Sequence, residues 1–243
     1  MRIITMGTVS SSLNMFDGYI DTQTETADQI SQPFDVSGNN AVVCLNNYGV
    51  SANLTVTDDD TSTVIYNETI SLHRSGIKDW WDYYFGPIRI GRDLVWYFPT
   101  TANATAVITI DYAGGIAKCG LCLPGTAEIV GHTQWNGKMG ITDYSIIDTN
   151  DFGLTYLTPG DWAKRGDMDV YIANTDMDST YNRVIQNRAL SSCFDFNEYD
   201  FTDTGTSIDG TQAYILYGFV ESFSHSLKSP GINSASFEIQ GVI

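Results

Sequence analysis

Apolar residues in this chain recur at every second position in short runs, and the 3.6-residue recurrence of an amphipathic helix is nearly absent. Ala41-Val42-Val43-Cys44-Leu45, Ala52-Asn53-Leu54-Thr55-Val56, Thr63-Val64-Ile65-Tyr66 and Ala106-Val107-Ile108-Thr109-Ile110 are rich in β-branched residues and separated by turn formers. A strand turns successive side chains to opposite faces, so this period predicts half-buried β-strands. Leu94-Val95-Trp96-Tyr97-Phe98 reads as a longer apolar strand stopped by Pro99, and Asp58-Asp59-Asp60-Thr61-Ser62 as a hairpin tip. Several short strands at this spacing over residues 1–113 predict a compact β-sandwich or barrel.

Ala113-Gly114-Gly115 interrupts the pattern and is the expected hinge between an N-terminal domain, 1–113, and a C-terminal domain, 117–243. In the second domain strands are expected around Glu128–Val130, Met139–Ile141, Leu154–Leu157, Met168–Ile172, Ala213–Tyr217 and Ala235–Ile239. One segment departs from the period of two. Near residues 179–190, Asp178 can cap a helix whose apolar positions Tyr181, Val184, Ile185 and Leu190 share a face. The acidic, turn-rich stretch Phe194 to Gly210 is expected as a surface excursion. The fold class is therefore mainly β, with two sandwich- or barrel-like domains and one helix in the second.

Charge narrows the function classes. The 243 residues carry 29 acidic and 12 Lys and Arg side chains, a net charge of −17, while 42% are hydrophobic. That hydrophobic content supports a folded core. Binding a phosphate backbone needs clustered cations to release counterions, so no nucleic-acid partner is expected, and an anionic membrane surface is disfavoured for the same reason. The N-terminal Met1-Arg2-Ile3-Ile4-Thr5 lacks the apolar core of a secretory signal, and no run approaches the ~20 apolar residues of a membrane span. Synthesis in a cytoplasm is expected, where thiols stay reduced. The acidity is expected to serve solubility and mutual repulsion before assembly, with a field that steers a basic partner as the alternative.

Residues that could carry chemistry do not converge. Cys119-Gly120-Leu121-Cys122 has the spacing of a zinc knuckle or redox pair, but Cys44 and Cys193 are distant and His73, His132 and His225 each stand alone. Leu123-Pro124-Gly125 after the pair reads as a turn rather than a helix start. Buried free thiols are the expected state, with zinc and a disulfide as the alternatives. The Asp58–Asp60 triplet lacks EF-hand spacing and a terminal Glu. No Gly-x-Ser-x-Gly is present, and the many carboxylates single out no glycosidase pair. The chain is expected not to be an enzyme, with no metal or cofactor.

A longer pattern occupies the second half. It runs Gly140-Ile141-Thr142-Asp143-Tyr144-Ser145, Asp148, Asp151-Phe152-Gly153, then Tyr217-Gly218-Phe219 and a close at Glu238-Ile239-Gln240-Gly241-Val242. Over residues 117–243, with a looser echo in 77–113, this resembles a family of structural proteins of tailed bacteriophages, from the tail and host-attachment region. Ile146 stands where a basic residue is usual in that pattern. The resemblance implies a virion part at or near the distal tail, self-assembling and docking other tail or receptor-binding proteins. The glycines of the pattern suit tight turns or close backbone approach, and Asp143 and Asp151 suit side-chain to backbone turn bonds.

One cluster is a candidate contact surface. Trp80-Trp81-Asp82-Tyr83-Tyr84-Phe85, with Trp96 a short distance on, concentrates aromatic rings. Such rings stack on sugars and anchor protein interfaces, and they equally fill cores. The second reading of the chain is accordingly a carbohydrate-binding adhesin that touches a host surface glycan.

Overall fold

A computed structural model of the chain describes residues 1–74, 80, 89–90, 92–134, 137–188, 190–197, 212–227 and 232–242. It is mainly β, built from curled antiparallel sheets, and a ten-residue α-helix lies in the C-terminal part. Two compact units form: Met1–Ile3, Glu128–Thr202 and Ala213–Ile243 make one, and Ile4–Ala127 is the body of the other.

The N-terminal unit is built on β1 (Arg2–Met6) from Ile4, β2 (Thr24–Asp35), β3 (Ala41–Leu45), β4 (Ser51–Asp58), β5 (Thr63–Ser71), β6 (His73–Arg74), β7 (Arg89–Ile90), β8 (Leu94–Tyr97), β9 (Ala104–Cys119) and β10 (Leu121–Ile129) as far as Ala127. One sheet has the order β2-β9-β4-β5. It buries alternate residues, Ala52, Leu54 and Val56 on β4 and Ala104, Ala106, Ile108 and Ile110 on β9. In a second sheet β10, β3 and β8 are neighbours, with β1 beside β10. β3 is buried along its whole length, as a continuous apolar run predicts. The unit has the expected β-sandwich character.

Three sequence expectations change here. Ala113-Gly114-Gly115 is no hinge, since it lies inside β9 and the units divide at Ala127/Glu128. Ala27 pairs with Ile116 and Asp28 with Tyr112, so the three residues are extruded as a bulge. Gly114 adopts φ 76°, and its N–H donates to the Asp28 carboxylate at 2.8 Å. Second, Leu123-Pro124-Gly125 is strand rather than turn, opposite Val43, Val42 and Ala41. Pro124 needs only its carbonyl, which accepts from the Gly7 N–H at 2.8 Å. Third, Trp96 is 1% exposed and belongs to the core, which withdraws it from any contact surface. The Asp58 tip is a turn as expected, its carboxylate accepting from the Asp60 N–H.

The C-terminal unit contains β11 (His132–Thr133), β12 (Lys138–Asp143), β13 (Ile146–Thr149), β14 (Thr155–Thr158), β15 (Trp162–Ala173), α1 (Met177–Gln186), β16 (Ser192–Asp195), β17 (Ile215–Leu227) and β18 (Ile232–Gly241). The order β11-β15-β18-β17-β16 makes its main sheet, and β12 pairs with β15 beside β11. Alternate residues Met168, Val170 and Ile172 of β15 and Ala235, Phe237 and Ile239 of β18 join Phe194 and Leu216 in one core. α1 contributes Val184 to that core, whereas Tyr181, Ile185 and Leu190 stay exposed, so its expected apolar face is only partly packed. Phe194, Asp195 and Phe196, expected at the start of a surface excursion, are buried instead; residues 198–211 lie outside the described residues.

Candidate functional site

The feature that stands apart from both cores is a β-arm. β12 pairs with the start of β15 from Lys138↔Asp167 to Asp143↔Trp162. β18 covers β15 only from Arg165 onward. Past that point the chain continues as a separate two-stranded sheet, β13 with β14, in the register Ile146↔Thr158 to Thr149↔Thr155.

A kink joins the two halves of the arm, and its chemistry is local. The Asp143 carboxylate accepts from the Ser145 backbone N–H at 2.9 Å. The Ser145 hydroxyl first, and this backbone bond second, hold the Asp143 carboxyl below the usual carboxylate range. Across the arm, the Tyr144 N–H donates to the Asp161 carbonyl at 2.9 Å and the Gly160 N–H to Ser145 Oγ at 3.0 Å. The root is tied to the main sheet where the Thr142 hydroxyl donates to Gln240 Oε1 at 3.3 Å.

The tip is equally determined by residue type. Asn150 Oδ1 accepts from the Phe152 N–H at 3.0 Å and the Leu154 N–H at 2.9 Å, and Gly153 takes φ 80°. A left-handed residue at that place favours glycine. Asn150, not Asp151, therefore closes the turn. The consequence is that Phe152 projects with 92% of its surface exposed.

The surface this arm presents is apolar. From Ile146 to Trp162 every residue but Asn150 is exposed, and seven of them are large and apolar or aromatic: Ile146, Ile147, Phe152, Leu154, Tyr156, Leu157 and Trp162. Ile147 and Leu157, each 70% exposed, face one another across the strands. The next pair on that face is Thr149 and Thr155, whose hydroxyls lie 3.1 Å apart. An isolated two-stranded ribbon is marginal in water, and contiguous exposed apolar surface of this kind marks an interaction site. Between Ile141 and Gly160 there is no Lys or Arg, while Asp143, Asp148 and Asp151 are present.

The residues expected from the sequence distribute over two places. Gly140, Asp143, Tyr144, Ser145, Asp151, Phe152 and Gly153 are all on the arm. Tyr217, Gly218, Phe219 and Gly241 are in the main sheet, where Gly218 faces Gly241 across β17 and β18. A Cβ on Gly218 would strike the Gln240 carbonyl and come 2.7 Å from Gly241 Cα, so close backbone approach explains that glycine. Gly140 does not follow the same logic: its φ is ordinary and nothing lies within 4 Å of a Cβ there. Of the aromatic cluster, Trp80 is 78% exposed, Trp96 is buried, and Trp81, Tyr83 and Tyr84 lie outside the described residues. Ile147, Leu157 and Asn150 were not singled out from the sequence. The adjacent pair Ile146-Ile147, which puts an apolar residue on each face of a short strand, was the available signal.

All four cysteines are free thiols and buried. Among the described residues no group of three His, Cys, Asp or Glu is arranged to hold a metal, and no helix is long and apolar enough to cross a membrane. No family model, curated protein or solved structure matches the chain.

Proposed function

We propose that this chain is a structural component of a tailed-phage virion, at or near the distal tail, which assembles with further copies of itself through the apolar arm. The observation that carries this reading is the ribbon Ile146–Thr158, folded by its own turn chemistry yet exposed on both faces. Its support from sequence is that Gly140 to Gly153, half of the resemblance to phage tail proteins, coincides with the arm's first strand, kink and tip. In an assembly, the free edges of β13 and β14 pair or pack on a neighbouring copy, and Phe152 serves as an aromatic anchor. Other tail or receptor-binding proteins dock on the assembled ring or trimer. Synthesis takes place in the host cytoplasm, and no catalytic step, nucleic-acid contact or membrane insertion enters the role.

Light scattering of the purified chain over a range of concentration and salt tests this. The expected result is a discrete oligomer that dissociates on dilution and is lost when Phe152 and Leu157 are replaced by Ser. A protein that stays monomeric at every concentration and salt level, with the double variant indistinguishable from it, overturns the reading.

The alternative, a glycan-binding adhesin, retains Trp80 as its exposed described residue. Binding on a glycan array that disappears in Trp80→Ala, with the oligomeric mass unchanged, would favour it.

A further inference from the structure

Cys44 and Cys122 are the partners that the Cys119-x-x-Cys122 spacing conceals. In the antiparallel register of β3 and β10 they sit directly opposite one another. Both side chains are wholly buried, and Cys44 Sγ donates toward Cys122 Sγ at 3.0 Å. The Cys119 thiol turns to the Leu121 carbonyl at 3.7 Å, although it also interacts with Cys44. Opposed residues of an antiparallel pair have Cα atoms roughly 4.5–5.5 Å apart, inside the roughly 4.4–6.8 Å that a disulfide spans. Joining the two sulfurs therefore asks for a shift of about 1 Å and no movement of the strands. Burial pushes both thiols up, so in the closed fold they stay protonated and react slowly.

We infer that Cys44 and Cys122 form a latent modification site, converted by a disulfide oxidant into a cross-strand bond that staples β3 to β10. With oxidised glutathione, one protein thiol loses its proton and attacks the oxidant's S–S bond. A mixed disulfide forms and one glutathione thiolate departs. The second protein thiolate then displaces the other glutathione, leaving the Cys44–Cys122 bond. The two protons end on the two glutathiones; the protein is oxidised by two electrons and glutathione is reduced by two. Because the thiols are buried, exchange occurs when the sheet opens locally. A chain made in a reducing cytoplasm is thus unstapled until it meets an oxidising medium. This inference is independent of the proposed role of the arm.

The test uses the full chain, incubated with oxidised glutathione in buffer and in sub-denaturing urea. Remaining thiols are then alkylated under denaturing conditions and the peptides mapped without reduction. The expected product is a Cys44–Cys122 linked peptide, with Cys119 and Cys193 alkylated. The cysteines are 78 residues apart in sequence, so closing that loop should raise the midpoint of thermal unfolding by roughly 10 °C, reversed by reductant. Cys122→Ala should show neither the link nor the rise, and the wild-type map decides the matter if that variant fails to fold. A Cys44–Cys119 link overturns the inference. So do glutathione adducts or alkylated thiols at Cys44 and Cys122, without a link, at a urea concentration where both react freely.

Discussion

Phe152→Ser isolates the arm's contribution to assembly from its contribution to folding. In the single chain Phe152 is 92% exposed, so nearly all of its ring remains available for burial against a partner. Burying a phenylalanine side chain from full exposure is worth about 1.5–3 kcal/mol. Replacement by serine should therefore weaken association by roughly 10- to 150-fold for each arm engaged. The turn itself survives, because Asn150 Oδ1 bonds the backbone N–H of residue 152 whatever its side chain. Stability of the single chain should then change by less than about 0.5 kcal/mol, as for other surface substitutions. Sedimentation or light scattering across a dilution series gives the first number, and thermal or urea unfolding the second. An unmoved dissociation midpoint would refute the role of the tip. A lowered unfolding midpoint of the dissociated chain would refute the exposed placement of Phe152 in the single chain.

Two glycines from one sequence pattern should respond oppositely. Gly218→Ala drives a methyl into the backbone of Gln240 and Gly241, which cannot yield, and should cost roughly 3 kcal/mol in urea unfolding. Gly140→Ala meets open space at ordinary φ and should be neutral or stabilising by about 0.5 kcal/mol. Asp143 has its pKa lowered by the Ser145 hydroxyl and N–H, so its contribution to the kink is present above the ordinary value of 3.8 and is lost as pH falls through the lower folded value. Titration of its carboxyl by NMR should show that lowered value, and Ser145→Ala should move it back up.

Most strands were legible because each has one wet and one dry face. β4 alternates along its length and β9 as far as its bulge, and β3, dry on both faces, is a run of five apolar residues. What the sequence concealed followed from local signals that carry two meanings. Gly114-Gly115 marks a break in regularity, and a bulge in a long strand satisfies it as well as a hinge does. Pro124 argues against a strand only where its missing N–H is needed, and here its carbonyl alone is used. Tyr181, Ile185 and Leu190 lie at helical spacing, yet only Val184 finds the core. The turn residues of the arm were legible for the same reason as the strands: Asp143 and Gly153 each have one geometry they serve best.

The arm's exposure was not legible, and the reason is physical. Leu154-Thr155-Tyr156-Leu157 has the composition of a core strand, and nothing in four residues tells whether the surface that dries it belongs to the same chain or to another. Only the fold, in which β18 pairs with β15 no further than Arg165 and the ribbon Ile146–Thr158 is exposed beyond it, shows that the ribbon is wet in the single chain. The acidity then acquires a specific consequence. A net charge of −17 makes copies repel at long range, and the repulsion is screened within about 10 Å at 0.1 M salt and about 3 Å at 1 M. Apolar contact is not weakened by the same salt. Association through the arm should thus strengthen as salt rises, whereas an interface made of ion pairs would weaken. The sign of that dependence separates the apolar arm from every charged patch on the surface.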